Sequence, residues 1–348
     1  MRNLKRLLAL TTVAAMTLAL TACGSSGGGG AEGSAAEAVG GENLPSAIRI
    51  GYWESPNAEL LVKETGALEK LYPDIDVSWI EFTSGADILT AMQAGSIDFS
   101  TIGSPPGTTG IVNEYPFSVY YVEDIIGESE GLIVRQDSGI NSLEDLAGKT
   151  IATSFSTTSH YSFLKALENA GVDPSGINIM DMDASNIYAA WERGDIDGAY
   201  IWESIKTQLT DNNGKEIISS AQVAEEGSPT CEFAIVHNDF YAKYPNVVKE
   251  YIGLLDQATD LFNNNTDEAA KLMSNGLGLT EEETKKAMGE LTELSRADQA
   301  EYVGTSNRPG SLSKILKDTA DFLYAQGNLT SSPDEAVFQK ASLTELYD

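Results

Sequence analysis

The sequence predicts an α/β protein with two lobes joined by two crossing segments. Short apolar runs typical of strands alternate with amphipathic helical runs from about residue 48 to residue 236, the pattern of α/β folds. After Asp239 the pattern is almost entirely helical, as expected for helices that return to pack on an earlier lobe. A short motif also occurs once in each half of the alternating region. Together these observations predict a cleft between two lobes, at the carboxyl ends of their strands.

The N-terminal segment predicts a secretory signal that ends at a lipid-attachment site. A basic start is followed by an uncharged run from Leu7 to Leu20, which is shorter than the ~20 apolar residues that a spanning helix needs. The run closes with Leu20-Thr21-Ala22-Cys23, which resembles the lipobox of bacterial lipoproteins. Residues 1–22 are therefore predicted to be removed, and Cys23 to carry a diacylglyceryl thioether. An ordinary small-residue cleavage site that precedes a cysteine by chance is the alternative.

Residues 23–46 are predicted to form a flexible tether, because they are rich in Gly and Ser and lack an apolar period. The only other cysteine, Cys231, then has no partner in the chain and is expected to be buried and structural. The formal net charge of −30 excludes nucleic acid as a partner. It also means that any anion site must be built locally from N–H groups and hydroxyls.

The elements follow in order along the chain, with the lobe boundaries set by two crossings. Strand-like runs are predicted at 48–52, 76–82, 99–102, 131–135, 150–153, 177–181, 199–202 and 233–236. Helical runs of the last third are predicted at 247–262, 267–273, 280–291 and 311–326. Crossings near 127–131 and 230–235 assign 47–129 and 236–348 to the first lobe and 130–235 to the second.

The repeated motif reads Ala, three residues, Gly, one residue, Ile, Asp. It occurs from Ala91 to Asp98 and again from Ala190 to Asp197. Each copy has a helical run before it and a strand after it, so Gly95 and Gly194 are predicted to end helices at positive φ. The sequence therefore predicts that one α/β unit is used twice.

Hydroxyl residues crowd a strand-to-helix junction in the second lobe. Ser156, Thr157, Thr158 and Ser159 follow the strand at 150–153 and precede an amphipathic helix. Only one of them can cap that helix, whose first N–H groups are unpaired, so the junction is predicted to bind an anion. Two ring-bearing residues follow: Tyr161 is a candidate ligand contact, whereas His160 is interpreted as a structural residue.

Other candidate contacts come from loops that follow predicted strands. Trp202 and Glu203 end the strand that the second motif copy enters, whereas Trp191 lies mid-helix on an apolar face and is expected in the core. In the first lobe the candidates are Trp53, Glu54, Ser84, Gly85 and Ser104. Ser84 also fits a simple helix N-cap with no ligand.

Two acids lie at the predicted crossings. Glu130 and Glu232 both occur in apolar surroundings. A carboxylate there is costly if it is buried without a partner, and a ligand ammonium would satisfy it.

The junction at 154–162 and the segment at 190–202 resemble the ligand-binding lobe of taurine-binding proteins of bacterial ABC importers, in the group that binds sulfonates, nitrate and thiamine precursors. The resemblance extends, with gaps, from about Ile48 to about Gln326. It implies a type II periplasmic binding protein fold that closes on a small ligand and needs no cofactor. It also implies a permease with separate ATPase subunits as partners. Together with the lipobox at Cys23, it predicts a protein that is lipid-anchored on the extracytoplasmic face of the membrane.

Taurine is a zwitterion, which suits hydroxyls and helix N-termini for the sulfonate and carboxylates for the ammonium. The chain departs from the family pattern in the longer acid Glu232, in the loop 53–57, and in Glu203, where a neutral residue is expected. Another small sulfonate, nitrate, a thiamine precursor, betaine or an amino-acid-like zwitterion therefore remains open as the ligand.

An enzyme is the competing interpretation. Gly127-Glu128-Ser129-Glu130-Gly131 matches the G-x-S-x-G pattern of serine hydrolases. That pattern needs a helix after the serine, and a β-rich run follows here instead. With two histidines in the chain and no H-E-x-x-H motif, the sequence favours a binding protein with no catalytic residues and no metal. A purely adhesive lipoprotein would leave the hydroxyls and aromatics at the cleft unexplained.

Overall fold

The computed structural model describes residues 43–203 and 205–348. The predicted signal peptide, Cys23 and nearly all of the predicted tether lie outside these residues. Within the described part of the chain, no helix is both long enough and apolar enough to cross a bilayer.

The strands form two sheets and a short hairpin. Their bounds are β1 (Ala47–Tyr52), β2 (Asp76–Glu81), β3 (Phe99–Gly103), β4 (Phe117–Ile126), β5 (Glu130–Arg135), β6 (Thr150–Thr153), β7 (Asn178–Asp181), β8 (Gly198–Trp202), β9 (Gly214–Ser219), β10 (Cys231–His237), β11 (Leu291–Glu293), β12 (Gly304–Thr305) and β13 (Arg308–Pro309).

Helices lie between these strands and dominate after β10. Their bounds are α1 (Ala58–Thr65), α2 (Ala67–Leu71), α3 (Gly85–Gln93), α4 (Ser104–Val112), α5 (Thr158–Asn169), α6 (Ala184–Arg193), α7 (Ile205–Asp211), α8 (Ser220–Glu225), α9 (Asn238–Lys243), α10 (Pro245–Asn264), α11 (Thr266–Leu277), α12 (Glu281–Met288), α13 (Arg296–Tyr302), α14 (Leu312–Ala325) and α15 (Glu335–Ala341).

The first sheet has the order β11-β4-β10-β3-β1-β2. β1, β2 and β3 are parallel, and β10 runs antiparallel to both of its neighbours, β3 and β4. Side chains alternate between the two faces of a strand, so Phe233 and Ile235 of β10 pack into one apolar cluster and Ala234 and Val236 into another. Apolar clusters on both faces explain why every residue of β3 is buried.

The second sheet has the order β7-β6-β8-β5-β9, which matches β2-β1-β3-β10-β4 strand for strand. The repeated motif occupies equivalent places: the Asp98 carboxylate accepts the Arg49 N–H at 2.9 Å, and the Asp197 carboxylate accepts the Thr150 N–H at 2.8 Å. Gly95 and Gly194 have φ of 63° and 77°. The predicted repeat of one α/β unit is confirmed.

The chain changes sheet twice, and the second crossing differs from the prediction. The first change lies between the end of β4 and the start of β5, at residues 127–129, within the predicted crossing. Before the second change, α8 still packs on α5 and β5 of the second sheet. From Cys231 onward, β10 pairs with β3 and β4 of the first sheet. The predicted boundary at residue 235 was wrong, because the backbone groups of 231–235 find their partners in the first sheet. We call 43–126 plus 231–348 the first lobe and 130–225 the second.

Five of the described strands were not predicted, namely β4, β9, β11 and the two short strands of the hairpin, β12 and β13. β11 replaces the end of the helix predicted at 280–291: α12 ends at Met288, and Leu291 pairs with Ile126 on the edge of the first sheet. A three-residue strand has no sequence signal of its own, since it exists only through that pairing.

Candidate functional site

Three helix N-termini meet between the two lobes. A Cβ on Gly85, at the start of α3, would lie 2.5 Å from Pro106 Cγ in α4, and a Cβ on Gly103, the N-cap of α4, would lie 3.2 Å from Thr158 Cγ2 in α5. Glycine at both positions therefore permits the close approach. Because the first N–H groups of a helix lack partners within it, this region carries partial positive charge from both lobes.

The hydroxyl residues at the start of α5 have different partners. Thr157 is the N-cap: its Oγ1 accepts the His160 N–H at 3.3 Å and donates to the Ser154 carbonyl at 2.6 Å. Thr158 is buried and donates to Glu130 Oε1. Ser156 is exposed, with a left-handed φ of 62°. The predicted junction is present, and the hydroxyl of Ser156 is the one that faces solvent.

The rings of His160 and Tyr161, at the start of α5, are buried against other aromatic side chains. His160 stacks on Phe155 with ring centroids 4.3 Å apart, and burial lowers the pKa of its imidazole to about 4. The neutral ring accepts the Ser156 N–H at Nδ1, in agreement with a structural role. Tyr161 is 2% exposed and packs edge-on against Phe322 of the first lobe at 4.9 Å. Tyr161, which the sequence suggested as a ligand contact, therefore forms a direct contact between the two lobes.

The first-lobe candidates surround the start of α3, α4 and β10. Ser84 caps α3, since its Oγ accepts the Asp87 N–H at 3.2 Å. Ser104 is fully buried, and its Oγ accepts the Cys231 N–H at 3.4 Å, which ties α4 to β10. Trp53 donates its indole N–H to Glu232 Oε2 at 3.3 Å, whereas Glu54 is exposed.

Glu130 and Glu232 bring carboxyl groups to the same region from the two lobes. Glu130 is buried, and Thr158 and Ser220 donate to its two oxygens. Burial raises the pKa of the Glu130 carboxyl to about 7, although these hydrogen bonds oppose the shift. Glu232 is partly buried and lies opposite Gly103 in the sheet. Desolvation, then the charges of Asp124, Glu123 and Glu130, raise its pKa.

Trp202 ends β8 and Glu203 follows it, as predicted, and both lie near a buried lysine in the sequence that follows. Trp202 is the cross-strand partner of Glu130, and Glu203 Oε2 accepts the Thr207 N–H at 3.2 Å. Lys206 of α7 is 7% exposed and donates to the Glu128 carbonyl of the first crossing. Its Nζ lies 3.5 Å from Glu216 in the second lobe and 3.7 Å from Glu290 in the first. This lysine therefore links both lobes to the crossing.

Sequence reasoning missed several of these groups. Asp124 and Glu123 are buried in β4, which was not predicted, and Lys206 was not considered. Two adjacent acids inside the apolar run 117–126 were the available signal, since charge is rare in a buried strand. Trp191 and Cys231 are fully buried, which confirms that both are core residues.

The hydrolase pattern forms no elbow in the structure. Ser129 lies in the first crossing and is followed by β5, whereas a nucleophile elbow needs a helix there. Among the described residues, no three His, Cys, Asp or Glu side chains are arranged to hold a metal ion.

Comparison with known proteins identifies the family. The NMT1/THI5-like family model matches residues 73–269. The chain belongs to this family. It is also 33% identical over 273 residues to the taurine-binding periplasmic protein of Escherichia coli, covering 77% of this chain and 80% of that protein. A putative aliphatic sulfonates-binding protein of Bacillus subtilis is 26% identical and covers 90% of this chain and 89% of the relative.

Solved structures of sulfonate-binding proteins show the same fold. The periplasmic aliphatic sulphonate binding protein SsuA of Escherichia coli superposes with a TM-score of 0.70 at 21% identity, covering 84% of this chain and 92% of SsuA. The alkanesulfonate-binding SsuA of Xanthomonas axonopodis, bound to MOPS, gives 0.69 at 23% identity, covering 85% and 98%. The predicted two-lobe binding-protein fold is confirmed, and family membership with relatives named as binding proteins confirms a binding protein rather than an enzyme.

Proposed function

We propose that this protein is the extracytoplasmic receptor of an ABC importer and binds taurine or a related small sulfonate between its lobes. The observation that carries the proposal is the meeting of three helix N-termini with Glu130 and Glu232 in one region. Helix N-termini favour an anionic group and desolvated carboxylates favour a cationic one, so the region suits a small zwitterion. The taurine-binding relative supports an amino-sulfonate over a plain anion.

The mechanism is closure of the lobes around the ligand. The sulfonate would accept hydrogen bonds from backbone N–H groups at the starts of α3 and α5, which belong to different lobes. The ammonium would face Glu232 in the first lobe and Glu130 in the second. A ligand that contacts both lobes stabilises the closed arrangement over the open one. The closed protein then docks on its permease, whose ATPase subunits are separate chains, and no covalent bond is made or broken.

The location that we propose is the outer face of the cell membrane. Its support is the signal sequence and the Leu20-Thr21-Ala22-Cys23 lipobox. Acyl chains on Cys23 would hold the tether to the bilayer, since each buried CH₂ contributes ~0.8 kcal/mol.

Isothermal titration of the purified mature protein tests the ligand. Taurine, ethanesulfonate, nitrate, betaine, a thiamine precursor and amino acids are titrated in turn. We expect taurine to bind more tightly than ethanesulfonate, because only taurine supplies an ammonium group to the carboxylates. Binding of betaine or a thiamine precursor, with none of taurine, would replace the sulfonate assignment.

A further inference from the structure

Three acids lie side by side on adjacent strands at the inner edge of the site. Glu232 of β10 is directly opposite Asp124 of β4, which is directly opposite Glu293 of β11. The Asp124 Oδ1 accepts the Glu232 N–H at 3.2 Å. Residues opposite each other on neighbouring strands share a face of the sheet, and like charges in such pairs are destabilising.

Buried acids continue behind this row. Glu123 is fully buried; its Oε1 accepts the Thr101 hydroxyl at 2.7 Å, and its Oε2 has no partner. The buried Glu293 accepts the Ala58 N–H at 3.2 Å through Oε1, and its Oε2 also has no partner. Glu59 accepts the Tyr251 hydroxyl at 3.3 Å. Two buried carboxyl oxygens in this region therefore lack a hydrogen-bond donor.

The described residues place no cation against these acids. The buried cation, Lys206, pairs with Glu216 and Glu290, and Arg296 pairs with Asp256 and covers the Tyr347 ring. None of the described ion pairs includes Glu232, Asp124 or Glu293. Buried carboxylates without a counter-charge take up protons instead.

We infer that the Asp124–Glu232 pair holds a proton in the ligand-free protein and that the entering ammonium group of the ligand displaces this proton into solvent. The ammonium keeps its own protons, and the carboxylic acid releases one H⁺ to the buffer as the carboxylate becomes its counter-ion. This inference deepens the proposed function and rests on it, because only a ligand with a cationic group produces the exchange.

The pKa directions agree with this geometry. Burial, then the charge of Glu123, raises the pKa of Asp124 to about 8, and burial, then the charges of Glu123 and Asp124, raises the pKa of Glu293. The titratable groups that interact with the pair come from four strands: Glu123 on β4, Glu130 on β5, Cys231 on β10 and Glu293 on β11. Behind them, Glu59 on α1, Tyr120 on β4 and Tyr251 on α10 lie near Glu123, and Tyr121 on β4 lies near Glu293. All of them are acidic, so they disfavour ionisation of the pair together.

Calorimetry measures the proton directly. Taurine is titrated into the mature protein at pH 7 in two buffers with different ionisation heats, and the difference in heat gives the number of protons released. We expect a release approaching one proton per taurine. The same exchange should tighten taurine binding by up to about tenfold per pH unit between about pH 6 and 8, where Asp124 still holds a proton in the ligand-free state.

Ethanesulfonate is the matched ligand, since it lacks the ammonium. Its binding should release no proton and weaken or stay constant as pH rises, because it prefers a neutral carboxyl group beside it. Asp124→Asn should reduce the release seen with taurine, whereas Asp74→Asn, an exposed acid in the loop before β2, should not. Proton release on taurine binding, measured on the unaltered protein, tests the inference even if Asp124→Asn fails to fold.

Two results would overturn the inference while the proposed function stands: taurine binds without releasing a proton, or the release is undiminished in both Asp124→Asn and Glu232→Gln. If taurine does not bind at any pH, the proposed function fails and takes the inference with it.

Discussion

Glu232 is the single residue whose surroundings bear most directly on ligand choice. It lies opposite Gly103, the N-cap of α4, and accepts a hydrogen bond from the Trp53 indole. Its neighbours Asp124 and Glu130 are buried acids, and burial, followed by the charges of these and other nearby acids, raises the pKa of the Glu232 carboxyl. A carboxyl group in such surroundings gains most from a cationic partner.

Replacement of Glu232 separates taurine from plain alkanesulfonates. In the closed, water-poor cleft, Glu232→Gln should cost roughly 2 to 5 kcal/mol of taurine binding, because the ammonium loses its charged partner. Ethanesulfonate should lose little affinity or gain some, because an opposing carboxylate is gone. Titration calorimetry of both ligands measures the two effects.

The control is Glu282→Gln, the same chemical change at an exposed position on α12, which should alter neither affinity. Equal weakening of both ligands by Glu232→Gln would assign Glu232 to the fold or hinge and reject its role in amine recognition.

At the scale of elements, the N-terminus of α5 supplies the second lobe's share of the anion site. Thr157 caps the helix and Thr158 binds Glu130, so both side chains are already engaged. The free N–H groups of the first turn and the exposed Ser156 hydroxyl are what the helix offers to a sulfonate.

A double substitution, Ser156→Ala with Thr157→Val, should weaken sulfonate binding by ~1 to 3 kcal/mol for each charged hydrogen bond lost. It should also lower the stability of the ligand-free protein by about 1 kcal/mol, because the N-cap is removed. Thr157→Ser keeps a capping hydroxyl and should retain stability, as thermal unfolding would show. A dissociation constant unchanged in the double variant would place the anion elsewhere.

The contact between α4 and α5 gives a test of lobe closure. Gly103→Ala places a Cβ about 3.2 Å from Thr158 Cγ2, so the lobes can no longer approach as closely. Because crowding of a packed contact costs ~1 to 3 kcal/mol, we expect taurine affinity to fall by about tenfold.

Thr158→Ser removes the crowding methyl group and keeps the hydroxyl that binds Glu130. The double variant Gly103→Ala, Thr158→Ser should therefore recover most of the affinity. If Gly103→Ala binds taurine normally, the ligand complex does not require the lobes to approach at this point.

At the scale of the whole molecule, two copies of one α/β unit face each other and exchange strands. β5 and β10 begin directly after the crossings, and each lies antiparallel beside the third parallel strand of its own sheet. This symmetry places the first residues of both strands, and therefore Glu130 and Glu232, at the boundary between lobes. Lys206 adds an ion bridge from the second lobe to Glu290 of the first.

Attachment to the membrane is tested at Cys23. Cys23→Ala should release the protein into the soluble fraction or stall its processing, because the thioether can no longer form. Membrane fractionation before and after the change measures this outcome. Identical fractionation of the two chains would reject the lipoprotein assignment, and a Cys231→Ala chain should behave like the unaltered protein.

The sequence by itself determined the fold class, the strand-helix alternation and the internal repeat. Each of these depends on local signals: the period of apolar side chains, the glycines that end α3 and α6, and the polar residues that cap helices. The hydroxyl-rich junction before α5 and the strand end at Trp202 were predicted for the same reason, as both lie within a few residues of the signals that mark them.

Tertiary structure alone decided which distant residues share the site and where the second crossing lies. Glu232 meets Asp124 and Gly103 only because β10 inserts between β3 and β4, strands more than 100 residues earlier in the chain. β11 pairs with the edge of the same sheet and adds Glu293 to the row of acids. Strand pairing is satisfied by backbone groups that every residue carries, so the neighbours of a strand, and the charges they bring together, follow from long-range packing rather than from local sequence.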